Sequence, residues 1–171
     1  MPSYFDKETF FWKNLKDPNM APYAGFRNGR RLKGQVHDDN AFAIDEFCTH
    51  AGLFSTVNGL CKTLLNLEKK LSLIKTMESG FLNRKEAHRF LKGWDTVNPK
   101  EMKTTLAGVG CGPHTFGHLG FTGTSMWIDC DKRLGVVILT NATKNFWFER
   151  AGLNKIRRSI GSFVWKNSDQ F

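Results

Sequence analysis

The stretch "FGHLGFTGTSMWID", Phe116 to Asp129, sets His118 among Gly117, Gly120 and Gly123, directly ahead of an alternating apolar run. A histidine there could act as acid, base or donor to an anionic group, and the glycines would let a ligand come close to the backbone. The remaining histidines are His37, His50, His88 and His114. None stands in H-E-x-x-H, and Gly117 interrupts the spacing of His114 and His118, so no metal site is expected. His37 in "GQVHDDNA" and His50 in "THAGLFST" read as loop-ordering residues whose ring nitrogens bond nearby turns. His88 reads as a solvated surface residue. "SLIK", Ser72 to Lys75, has the spacing of a serine nucleophile and its lysine base. A long helical pattern precedes it, however, whereas such a serine works at a helix N-terminus, where unpaired N–H groups favour developing negative charge.

These residues need elements to hold them. "LFSTVNGLCKTLLNLEKKLSLI" predicts a helix capped by Ser55 or Thr56, with Val57, Leu60, Leu64 and Leu67 on its apolar face. "RKEAHRFLKGW" predicts a shorter helix ended by Gly93, with Ala87, Phe90 and Leu91 together. "TSMWIDC" and "LGVVILTN", joined by "DKR", predict an antiparallel hairpin whose second strand is buried on both faces. "GLNKIRRSIGSFVWK" returns to helical spacing through Leu153, Ile156, Ile160 and Phe163 or Val164. The fold class expected is α+β, as one domain: residues 1–52 loop-rich connection, 53–103 helical, 104–171 antiparallel strands and a terminal helix.

At 171 residues, 40% hydrophobic, the chain can bury one core. Its net charge of +9 makes polyanions conceivable partners. The densest basic patch, Arg27, Arg30, Arg31 and Lys33, has neither helical period nor interleaved aromatics of the stacking kind, so nucleic acid is not the expected partner. Cys48, Cys61, Cys111 and Cys130 form no C-x-x-C and read as buried free thiols. No apolar run approaches the ~18 residues of a membrane span. Nothing in "MPSYFDKETFFWKNLKD" reads as a signal peptide, so the default expectation is cytoplasmic, with export of a longer parent enzyme left open.

Four ordered motifs carry a family likeness. "GQVHDDNA", "HAGLFST" ahead of a helix, "FGHLGFTGTSMWID" and "GVVILTN" resemble the serine β-lactamase and penicillin-binding-protein superfamily, nearest its class C-like esterase branch. That branch reads G-x-V-H-D-x-N-A, G-H-A-G-L-F-S-T and F-G-H-T-G-F-T-G-T-S. The likeness runs from about Phe5 to Asn141 and into the terminal helix.

The resemblance implies a partial β-lactamase or transpeptidase-like fold: the last three strands of an antiparallel sheet, a C-terminal helix and a helical subdomain. It places the K-T-G or H-T-G motif on His118, Leu119 and Gly120. His118 would bear on the polar or anionic end of a small acyl substrate, Leu119 and Thr122 would lie against that substrate, and the Phe121 N–H would be an oxyanion donor. Leu119 stands where Thr or Ser is usual, and Thr49 where G-H-A-G has Gly. The resemblance brings no cofactor and no metal. Family members place S-x-x-K and Y-x-N ahead of the segment that "FDKETFFW" resembles; neither Tyr4 nor Tyr23 has Asn two residues later. The nucleophile helix and the first two strands are therefore expected to be missing, which would leave "GVVILTN" as an open apolar edge. The expectation is a serine hydrolase portion inactive alone, completed by an N-terminal polypeptide or by self-association through that edge. The alternative is a non-catalytic remnant or a binding module for anionic or wall-derived ligands.

Overall fold

The alternating run after Gly123 folds as strand β8 (Ser125–Asp129), and the apolar run after "DKR" as β9 (Leu134–Ile138), paired antiparallel with Trp127 opposite Val136. Asp129, fully buried, holds the turn between them by accepting from the N–H groups of Gly112, Asp131 and Lys132 at 2.6, 2.9 and 3.0 Å. The computed structural model describes residues 3–14, 25–86, 88–142 and 150–170.

On the other side of β8 lies β7 (Thr115–Leu119), whose Gly117 is opposite Trp127. A Cβ there would come within 2.6 Å of the indole, so the ring lies where only glycine leaves room. The sheet is wider than the three strands expected. Residues 84–86 and 88–94 do not form the predicted helix: β5 (Phe90–Leu91) and β6 (Trp94–Thr96) make a hairpin that continues the sheet in the order β5-β6-β7-β8-β9. Lys92 and Gly93 both take positive φ, 49° and 85°, the conformation of a two-residue hairpin turn. Arg89 then forks onto the buried Asp95 carboxylate at 2.9 Å for each bond. Ala87, assigned to the predicted helical face, lies outside the described residues.

One face of the sheet is covered by helices α2 (Val57–Leu71) and α3 (Leu73–Leu82), with Met77 and Phe81 against Phe116, Ile128 and Cys130. Thr56 caps α2 by accepting from the Gly59 N–H, as one of the two expected caps. The single long helix expected is broken at Ser72, which adopts a left-handed conformation (φ 48°). The Glu68 carboxylate restarts the helix by accepting from the Ile74 N–H at 2.7 Å.

Helix α4 (Arg150–Lys166) covers the other face, where Trp165 joins Trp127, Val136, Ile138 and Ala107 and donates its indole N–H to the Ala107 carbonyl at 2.7 Å. Its buried residues are Leu153, Arg157, Gly161 and Trp165, a four-residue repeat and not the apolar spacing read from sequence. Ile156, Ile160 and Phe163 instead stay exposed. β9 likewise is not buried on both faces, because Gly135 opens to solvent. Among the described residues β9 pairs only with β8.

The segment read as connection has structure of its own. Strand β1 (Thr9–Phe11) pairs with β4 (Leu53–Ser55), β2 (Phe26–Arg27) with β3 (Arg30–Arg31), and helix α1 (Asp39–Ile44) packs Ala41 against Phe11, Trp12 and Val36. Residues 15–24 lie outside the described residues.

Candidate active site

β7 carries His118 to the end of the sheet with its side chain exposed, while Leu119, next along the strand, turns into the α4 face of the core. This alternation is the ordinary pleat. The chain then leaves the sheet through a tight turn in which Gly120 N–H donates to the Thr124 carbonyl at 2.7 Å and Gly123 N–H to the Gly120 carbonyl at 3.1 Å. Gly123 sits at φ 104°, a conformation that side chains resist, and this lets the chain reverse between Gly120 and Thr124.

Phe121 and Thr122 form the tip of this turn. The Phe121 ring is 61% exposed, and its carbonyl accepts from Arg150 Nη1 at 2.7 Å. The same guanidinium lies over the ring, 4.5 Å from its centroid. Among the described residues the Phe121 N–H donates to no protein atom. Thr122 presents its carbonyl to the Ala142 N–H at 2.7 Å, which ties the tip to the chain beyond β9.

Arg157 supports this turn from beneath. At 4% exposed, its guanidinium donates to the carbonyls of Gly120, Thr124 and Gly123 at 2.9, 2.8 and 3.2 Å. Burial lowers its pKa from the ordinary arginine value, with the Arg150 charge adding to the effect. Sequence reading passed over Arg157 as one basic residue of an amphipathic helix. The signal was its place four residues from Leu153 and from Gly161, on the face that is buried.

His37 reaches the same turn from a distant part of the chain, its ring 5.6 Å from that of Phe121 and inclined by 31°. Its carbonyl accepts from Arg27 Nη2 at 3.1 Å. The two motifs "GQVHDDNA" and "FGHLGFTG" therefore meet at Phe121. His50 takes a different place: its Nε2 lies 3.1 Å from Asp38 Oδ1, the oxygen that caps α1 by accepting from the Ala41 N–H at 2.8 Å. That capping bond holds the Asp38 carboxyl below its usual pKa, with His50 adding to it. His114 contacts Asp131 Oδ1 at 3.0 Å, and His88 is exposed beside Glu86. Among the described residues no group of histidines, cysteines or carboxylates is arranged to hold a metal ion.

Ser72 requires a correction. Because the helix breaks there, Ser72 does stand at the N-cap of α3, so the positional objection to "SLIK" does not hold. Its hydroxyl nevertheless makes no cap bond and no bond to Lys75, and both residues are exposed. The four cysteines are free; burial pushes the thiols of Cys111 and Cys130 up to about 11 and about 12, while Cys48 and Cys61 are half-buried. No helix among the described residues is long and apolar enough to cross a membrane.

Comparison with known proteins places the chain in a family. The Beta-lactamase family model matches residues 8–158. A protein of Escherichia coli (strain K12) named "Putative D-alanyl-D-alanine carboxypeptidase" is 36% identical over 118 residues, which is 64% of this chain and 27% of that protein. The N-acetylmuramyl-L-alanine amidase of Bacillus subtilis (strain 168) is 34% identical over 122 residues, 64% of this chain and 26% of that protein. The chain thus spans about a quarter of the length of these curated relatives. No solved structure matches it. With its motifs meeting at one turn and the family model spanning most of its length, the chain belongs to the β-lactamase family of hydrolase-related proteins.

Proposed function

We propose that this chain forms the substrate side of a serine hydrolase performing acyl transfer, with the nucleophilic serine, its lysine and the tyrosine contributed by N-terminal polypeptide. The observation that carries this reading is the Phe121 N–H, which among the described residues has no protein acceptor, in a turn held by Arg157 and flanked by His37. An N–H held ready in this way can stabilise the oxygen on which charge develops when a carbonyl is attacked, worth ~3 kcal/mol of barrier. His118, exposed on β7, would meet the polar or anionic end of the substrate, and Thr122 would stand beside it. Leu119 contributes packing and no donor. Hydrolysis of wall-peptide amide bonds is the activity class that suits the relatives' names, and ester hydrolysis is the class that the esterase-like motifs add.

Acyl transfer needs a nucleophile activated by a base, and half of an oxyanion hole does not replace it. The chain alone is accordingly inactive in this reading. β9 is the edge on which completing strands would add, and Ile156, Ile160 and Phe163 form a neighbouring apolar surface for them to cover. The test is hydrolysis of nitrocefin, p-nitrophenyl acetate and D-alanyl-D-alanine, by the chain alone and mixed with the polypeptide encoded upstream. The expected result is no turnover alone, and turnover in the mixture that falls with His118→Ala. Turnover by the chain alone that disappears with Ser72→Ala would move the nucleophile to "SLIK" and overturn the proposal.

A further inference from the structure

The basic patch around Arg30 folds as a site that sequence alone did not disclose. Asn28 and Gly29, both at positive φ (50° and 73°), turn β2 into β3 and set Arg27 opposite Arg30. Arg27 is fixed: its guanidinium donates to the Val36 and His37 carbonyls and to Asp39 Oδ1, and it lies 3.9 Å from the centroid of the Phe42 ring. Between this hairpin and the start of α1 is a half-open cleft of about 520 Å³, with Arg27, Arg30, Arg31 and Lys33 on its walls and no carboxylate among its described lining residues. Asp39 sits behind the cleft on Arg27, and among the described residues no carboxylate pairs with Arg30 or Lys33.

We propose that this cleft binds the phosphate groups of a flexible, single-chain polyanion. Arg30, Arg31 and Lys33 sum their fields around one concavity, the Arg27 charge being offset by Asp39, and each phosphate they neutralise releases condensed counterions. The concave shape suits a single chain; duplexes are read by elements that project into their grooves. Among the described residues lining the cleft the one aromatic ring, Phe42, already has a face covered by Arg27, and Phe26, 68% exposed on β2, stands outside that lining with the Arg31 guanidinium 5.6 Å from its ring centroid. A polyphosphate-like chain without bases is therefore favoured over single-stranded nucleic acid. The cleft is built on residues other than those of the acyl-transfer turn, and the inference does not depend on that reaction.

The experiment titrates the full chain with short-chain linear polyphosphate, followed by calorimetry at several salt concentrations. Parallel titrations use oligo-dT and a DNA duplex. The variant Arg30→Ala/Lys33→Ala removes two exposed cations whose side chains make no bond among the described residues, and Lys100→Ala/Lys103→Ala removes an exposed pair elsewhere. The expected result is a loss of about tenfold in polyphosphate affinity for the first variant, with the slope of log K against log salt shallower by about 1.4. The second variant changes affinity by less than about twofold, and both variants keep the wild-type unfolding midpoint. Equal weakening by both variants would mean unspecific attraction to net charge and would overturn the site. Undetectable polyphosphate binding would overturn it as well. Oligo-dT or duplex binding as tightly as polyphosphate, with the same loss in the cleft variant, would replace the proposed ligand by nucleic acid.

Discussion

Replacing Arg157 should loosen the turn that presents the Phe121 N–H. Its guanidinium is 4% exposed, donates to three carbonyls of residues 120–124 and touches Asn154 Oδ1 at 3.2 Å. Hydrogen bonds from a charged donor contribute about 1.5–3 kcal/mol each. Against this stands the cost of holding a cation out of water without a carboxylate beside it, several kcal/mol after relaxation. Arg157→Met removes both terms, takes from the Gly123 carbonyl its donor and leaves the Gly120 and Thr124 carbonyls with only their backbone donors, so the net loss should be about 3 kcal/mol. That is a large part of the ~5–15 kcal/mol that holds a typical domain together. Arg157→Lys keeps the charge but not the fork that reaches three acceptors, and should cost about 2 kcal/mol. Urea unfolding followed by tryptophan fluorescence gives the stability. Hydrogen exchange gives the local effect: the Gly123 amide, bonded to the Gly120 carbonyl, should lose protection ahead of the amides in β8. A loss below about 1 kcal/mol with Gly123 protection unchanged would refute the clamp.

Other expectations follow from particular residues. Gly93→Ala should destabilise by about 1 kcal/mol, because Gly93 holds φ 85° in open space and the penalty is purely conformational; a stabilising effect would favour the helix that sequence suggested. Asp38→Ala should cost about 1 kcal/mol as a lost N-cap. Since the folded pKa of Asp38 is lowered, its contribution is present above the unfolded value and lost as pH falls through the folded one, so the variant should be less acid-sensitive than wild type below about pH 4. Cys111 and Cys130, with thiols pushed up to about 11 and about 12, should resist Ellman's reagent until urea unfolds the chain, with Cys48 and Cys61 reacting first. Their raised folded pKa values have the opposite sign: stability is full below about pH 8.5 and declines as the unfolded thiols ionise above it.

The β8–β9 hairpin was legible because its alternation and its "DKR" turn are local, and the Thr56 cap because it reaches only three residues on, to Gly59. The β5–β6 hairpin was not, because Lys92–Gly93 reads equally as a helix end, and the choice falls to Asp95 and Trp94 packing at a distance. The break at Ser72 depends on Glu68 reaching across to the next helix, a bond that periodicity does not encode. Within the candidate site, the motif order located His118, Phe121 and His37, and the fold brings Phe121 and His37 together. Arg157 escaped because its role exists only once α4 lies under a turn more than thirty positions earlier in the chain.

α4 consequently has two working sides. One holds the carbonyls of the Gly120–Thr124 turn through Arg157, and the adjacent one offers Ile156, Ile160 and Phe163 to whatever binds there. In the proposed assembly, a completing polypeptide seated on this apolar stripe would make α4 a lever: a small rotation imposed there would move the Arg157 fork, and the aim of the Phe121 N–H with it. Assembly and site geometry would then share one mechanical part, and the readiness of the turn would read out what has docked.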